Sequence, residues 1–274
     1  MPEDALLDPD TDEFWKARIR AAATETGDLG WRDIQFDPML GWRMRSDWRS
    51  DGVEHNSVGY RASNEFATIP DGLRAVFIGD SFTYGLGVAN AETYSAKFAQ
   101  ATGIESINAG VNGFGTDQAL LMWQNEGIAL APDYLVLGYF VGDFRRNGLT
   151  VRDGAKPYFV SSGTNGFFLE GTPVPPSDEL MAAGFFDSGS SLRLLRLFRY
   201  AQRRIYSRLD IHGTDLNLNN REISEDILTQ LRDTASAANA RFLVLVIGHC
   251  EDFVPQYRWI ENEIMRSCDA LGLD

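Results

Sequence analysis

Few residues of this 274-residue chain are suited to covalent chemistry, and those few collect where apolar runs stop. Ala75-Val76-Phe77-Ile78 ends in Gly79-Asp80-Ser81, and a second run ends in Asn108-Ala109-Gly110-Val111-Asn112-Gly113. A third ends in Phe140-Val141-Gly142-Asp143-Phe144. A serine beside glycine-rich turns suits acyl transfer. Glycine leaves backbone N–H groups open to approach, and such donors stabilise the oxyanion of a tetrahedral intermediate. Ser81 Oγ, at a strand-to-helix turn, is the candidate nucleophile, next to a helix start whose dipole favours negative charge. The plainer alternative is that Ser81 only caps the helix that follows. Asp80 and Asp143 are expected to shape their turns by accepting backbone N–H bonds.

Other chemistries find less support. Gly79 to Thr83 is not the G-x-S-x-G elbow, because its fifth position is threonine. The glycines of GVNGFG do not follow dinucleotide spacing, and there is no Gly-Lys-Ser/Thr phosphate loop. No histidine–carboxylate spacing resembles a metal site, so neither metal nor cofactor is expected. Two cysteines, Cys250 and Cys268, are too few for a disulfide framework or a structural zinc site. A formal net charge of −14 disfavours nucleic acid. Apolar runs such as Phe242 to Ile247 have strand length and are far short of a membrane span. MPEDALLDPD lacks the features of a signal peptide, so a cytoplasmic location is expected.

The elements that must position these residues follow from periodicity. Strands are expected at 75–78, 104–109, 133–140 and 241–247, the last of them buried. Helices are expected at 91–101, 116–128, 223–238 and 254–271. Continuous apolar strands alternating with amphipathic helices argue for a parallel sheet covered on both faces, with sites at the carboxyl ends of its strands. Residues 1–70 form an N-terminal extension packing on the core, with a short amphipathic helix near Phe14 to Ile19. Trp15, Trp31, Trp42 and Trp48 would anchor it. The main domain is 71–274, with an insertion at about 145–220. That insertion holds a β-hairpin (156–160 and 167–169) and an arginine-rich helix, 192–209. The stripe Arg193, Arg196, Arg199, Arg203, Arg204 and Arg208 either pairs with the domain's own carboxylates or meets an anionic surface.

VFIGDSFTYGLGV resembles the first conserved block of the GDSL/SGNH hydrolase superfamily of serine esterases and lipases, and INAGVNGFGTDQAL resembles the second. Asn56-Ser57-Val58-Gly59-Tyr60-Arg61 and KPYFV…PVPP are also similar to bacterial members, and the resemblance spans about residues 38 to 271. It implies a three-layer α/β/α sandwich with a flavodoxin-like parallel sheet. It also implies ester hydrolysis through Ser81, with the backbone N–H groups of Ser81 and Gly113 holding the oxyanion. The substrate would be a small ester such as an acylated sugar or lipid; oligomeric state is not implied.

Two departures stand against that pattern. The third block normally reads Gly-x-Asn-Asp, its asparagine donating to the oxyanion; here the run is Val141-Gly142-Asp143, so the asparagine is replaced by Gly142 or deleted. Asn147 could substitute if its loop folds back. Loss of one such donor typically costs about 10²–10³ in turnover. The family base sits in an Asp-x-x-His block after a fifth strand, and neither is found here. The residues three before His55, His212 and His249 are Gly52, Leu209 and Val246. Three explanations compete: a truncated esterase, a binding protein that keeps the pocket without catalysis, and a rewired enzyme. In the last, His249 is the base, oriented by Glu251 or Asp252. His55 and His212 are expected to be ordinary loop residues. The expectation is an esterase-like chain that is weak or inactive.

Overall fold

The structure, a computed structural model, describes residues 10–26, 32–161, 166–187, 215–248 and 258–273. In chain order the elements are α1 (Asp12–Thr26), β1 (Ile34–Asp37), β2 (Gly41–Met44), β3 (Arg49–Ser50), β4 (Val53–Glu54), β5 (Arg74–Gly79) and α2 (Ser81–Tyr84). There follow α3 (Tyr94–Thr102), β6 (Glu105–Asn108), α4 (Thr116–Met122), β7 (Tyr134–Phe140), α5 (Asp143–Arg146), β8 (Tyr158–Ser161) and β9 (Phe167–Glu170). The last are α6 (Ser177–Ala182), α7 (Asp215–Ala237), β10 (Arg241–Ile247) and α8 (Arg258–Leu271).

Four of these strands form one parallel sheet in the order β10-β7-β5-β6. Counted within the sheet this is 2-1-3-4, the flavodoxin-like winding, whose reversal point lies between β5 and β7. All six residues of β5 are buried, and alternate residues supply opposite faces, as strand geometry requires. Val76 and Ile78 join the main core with α4, α7 and α8. Ala75 and Phe77 pack with Val136 against Tyr94 and Phe98 of α3. The expected α/β sheet between helical layers is therefore present. None of the described helices is long and apolar enough to cross a membrane.

One strand differs from expectation. β10 is only part-buried along most of its length, with Leu245 44% exposed. It pairs with β7 alone among the described residues, so it lies at an edge and its alternate residues miss the core. The hairpin of the insertion forms, β8 against β9, with Phe159 stacked on Phe167. The arginine-rich segment 193–208 lies outside the described residues, as do His212, His249, Cys250, Glu251, Asp252 and Trp31.

The N-terminal segment is part of the core. Leu40, Trp42 and Met44 are buried in the main cluster, and Trp42 donates to Asn112 O at 2.9 Å beside Phe114. α1 instead docks on the start of the insertion: Ile19 packs with Val151 and Phe186, and Trp15 lies against them. Trp48 lies under the Arg45 guanidinium.

Candidate active site

The rim is built by backbone approaches that only glycine permits. At Gly79 the chain takes φ +146°, and a Cβ there would meet Gly138 O at 2.6 Å and collide with Thr83 Oγ1. The turn delivers Asp80 as the cap of α2: its Oδ1 accepts from Phe82 N at 2.8 Å. Ser81 follows as the first helical residue, half-buried at the rim. Gly110 brings the second loop against α2, where a Cβ would lie 2.7 Å from Thr83 C. Asn108 fastens that approach, donating to Thr83 O at 2.9 Å and Ser95 Oγ at 3.0 Å, while its Oδ1 accepts from Gly110 N.

Ser81 itself is left open. Among the described residues its Oγ and N–H form no hydrogen bond, and neither does the N–H of Gly113. Gly113 is buried at φ +82°, so two backbone donors on neighbouring loops stand unused. An unpaired buried N–H is uncommon unless something else is meant to take it. Beside the serine, Phe82 is 47% exposed and stacks on Phe140, with ring centroids 4.5 Å apart.

The third strand end is closed. Arg146 Nη1 donates to Asp80 Oδ2 at 2.8 Å, Asp143 Oδ1 at 2.7 Å and Phe114 O at 3.0 Å, so one nitrogen joins all three loops. Asp80 and Asp143 are both fully buried. Burial first, and then the charge of Asp80, push the Asp143 carboxyl well above the usual carboxylate range despite Arg146 and Arg152. Its Oδ2 has no hydrogen-bond partner among the described residues.

Gly142 offers no side-chain donor, and a Cβ there would lie 2.5 Å from the Phe140 ring. The ring that stacks on Phe82 thus excludes an asparagine at this position. Asn147 is fully buried inside the closed end. Its Nδ2 donates to Thr116 Oγ1 at 2.6 Å and Ser224 Oγ at 3.1 Å, while its Oδ1 accepts from Asp117 N. The amide is committed there and not folded back toward the serine. His55 is not an exposed loop residue: it is buried, with Nε2 2.9 Å from Tyr84 Oη and Nδ1 2.8 Å from Arg45 O. Burial lowers its pKa, and both ring nitrogens are engaged away from Ser81.

Several residues of this rim escaped the sequence reading. Arg146 could have been found, since it lies three residues after Asp143 on one helix face. Arg152 and Asp153 could not. They form an ion pair in the insertion, and a Cβ on Gly113 would collide with Asp153 Oδ2 and lie 3.2 Å from Arg152 Nη1. Lys156, also unforeseen, is buried with Asp117 as its partner and donates to Leu149 O at 3.1 Å.

No protein-family model matches this chain, and no curated protein matches it. Solved structures do. A GDSL-like lipase from Bacteroides thetaiotaomicron aligns at 12% identity and TM-score 0.36, over 73% of this chain and 65% of that one. AlinE4, an SGNH-hydrolase family esterase, aligns at 14% identity and TM-score 0.37, over 75% of this chain and 76% of that one. A putative lipolytic protein of the G-D-S-L family from Desulfitobacterium hafniense aligns at 14% identity and TM-score 0.28, over 72% and 99%. At these scores they are likenesses only. All three are described as lipases, lipolytic proteins or esterases of the GDSL/SGNH type that the first two rim sequences resemble.

Proposed function

We propose that this chain is a serine-type ester hydrolase with Ser81 as nucleophile, and that the 274 residues turn over slowly. The observation that carries the proposal is the open rim at β5: a Ser81 Oγ and the N–H groups of Ser81 and Gly113, on adjoining loops, that form no hydrogen bond among the described residues. Attack of Oγ on an ester carbonyl would put negative charge on the carbonyl oxygen, and two backbone donors there would lower that barrier. The Phe82–Phe140 stack offers an apolar bed for the acyl group of a small acylated sugar or lipid.

Slow turnover follows from the proton inventory. Removing the hydroxyl proton needs a base, and an esterase without its histidine loses several orders of magnitude. Of the three histidines, His55 is engaged with Tyr84 and Arg45, and His249, which follows β10 in the sequence, is the candidate base. A second reading, a ligand-binding protein without catalysis, is favoured by the Arg152–Asp153 pair seated against Gly113.

Hydrolysis of p-nitrophenyl acetate by the chain and by its Ser81→Ala and His249→Ala variants separates these readings. Turnover lost in Ser81→Ala supports the nucleophile, and a matching loss in His249→Ala identifies the base. Turnover unchanged in Ser81→Ala would sink the hydrolase reading. No turnover, with no labelling of Ser81 by an activated phosphonate, would leave the binding protein.

A further inference from the structure

The resting site already contains a carboxylate. Asp153 Oδ2 lies so near Gly113 that a Cβ there would collide with it, and it is paired with Arg152, whose Nη1 is 3.2 Å from that Cβ position. The guanidinium lies over the Trp15 ring of α1, its Cζ 4.3 Å from the ring centroid. Its Nε is buried with no partner among the described residues. Arg146, by contrast, serves the internal carboxylates Asp80 and Asp143. Neither Gly142 nor Asn147 supplies the side-chain donor that the third loop would be expected to give.

We propose that Arg152, beside the free N–H of Gly113, forms a seat for a carboxylate or an oxyanion, and that the chain's own Asp153 occupies the guanidinium side of it at rest. The oxyanion role rests on the reading of Ser81 as nucleophile; the carboxylate role does not. A tetrahedral oxyanion and a carboxylate oxygen carry comparable negative charge, and a guanidinium beside a backbone N–H binds either. Burial and the neighbouring Arg146 draw the pKa of Arg152 down to about 9, which still leaves it cationic near neutrality. Asp153 sits in a short turn closed by Arg152 N to Gly154 O at 2.9 Å, and its side chain is 21% exposed. Swinging it into water exchanges one carboxylate on Arg152 for another, without leaving the cation unpaired. Product carboxylate, and by the same chemistry a tetrahedral intermediate, would therefore enter in competition with Asp153.

The probe is trifluoroacetate, titrated against the 274-residue chain and followed by fluorine NMR line broadening. Asp153→Asn removes the competitor and is expected to tighten binding about tenfold, since one displaced ion pair is worth on the order of a factor of ten. Arg152→Met is expected to weaken it at least tenfold, with Arg152→Lys between. Circular dichroism checks that each variant is folded; Asp153→Asn leaves the Trp15–Arg152 packing in place and decides the matter if Arg152→Met does not fold. Binding no tighter in Asp153→Asn than in the parent overturns the seat, whatever Arg152→Met does. The two readings fail separately. Ester turnover that persists in Ser81→Ala, with tighter trifluoroacetate binding in Asp153→Asn, removes the nucleophile and keeps the seat. Turnover that needs Ser81, with binding indifferent to residues 152 and 153, does the reverse.

Discussion

The ends of β5 and β7 are neighbours in register, Gly79 opposite Gly138, yet they are finished in opposite ways. After β5 the chain leaves groups without a hydrogen bond among the described residues: the hydroxyl of a half-buried serine, its N–H, and the N–H of Gly113 on the next loop. After β7 the polar side chains of the loop are tied inward: Asp143 to Arg146, Asn147 to Thr116 and Ser224, and Lys156 to Asp117 nearby. One rim thus has a rigid buttress and an open edge. Preorganised donors are useful only if they cannot relax onto other partners, and the closed end is what prevents that.

The largest effect should come from breaking the buttress. Arg146→Met strands two fully buried carboxylates, and removing one partner of a buried pair costs about 3–5 kcal/mol. Urea unfolding would show it, and a midpoint within error of the parent would mean the three loops are held by something else. Asn147→Ala is next. It leaves the hydroxyls of Thr116 and Ser224 short of partners, at about 1–3 kcal/mol. If Asn147 only braces the closed end, kcat per folded molecule stays unchanged in that variant; a fall of about 10² would restore it as an oxyanion donor.

Asp143 sharpens the contrast through pH. Its carboxyl titrates high in the folded chain and near the ordinary value when unfolded. Its contribution to stability is complete below the ordinary carboxylate pKa, about 4, and is lost as pH rises toward the folded value. Asp143→Asn keeps the neutral form at all pH. Its advantage over the parent should grow as pH rises above about 4, and parallel stability curves would contradict the raised pKa. The smallest stability change belongs to the open end. Ser81→Ala removes a hydroxyl with no partner among the described residues and should move stability by less than about 0.5 kcal/mol while removing ester turnover. A large loss of stability there would make Ser81 a structural cap.

Much of this was legible in the residues alone. The apolar runs at 75–78 and 133–140 specify buried parallel strands because both faces must meet helices, and the glycines after them mark the rim. The exposure of β10 was not legible: Arg241 to Ile247 is as apolar as a central strand, and its pairing with β7 alone among the described residues leaves Leu245 exposed. The role of His55 was hidden likewise, since its partner Tyr84 lies 29 residues away in sequence.

Composition and local pattern determined the sheet, its winding helices and the glycine turn that presents Ser81, because these depend on side-chain period and on backbone room near each residue. Which polar groups are consumed and which stay free was decided only in three dimensions. Arg146 reaches Asp80 across 66 positions, and Trp15 of α1 lies under Arg152 beside Gly113. A hydrogen bond or ion pair is a condition on distance, and contacts this far apart along a chain leave no period or spacing in the sequence to reveal them.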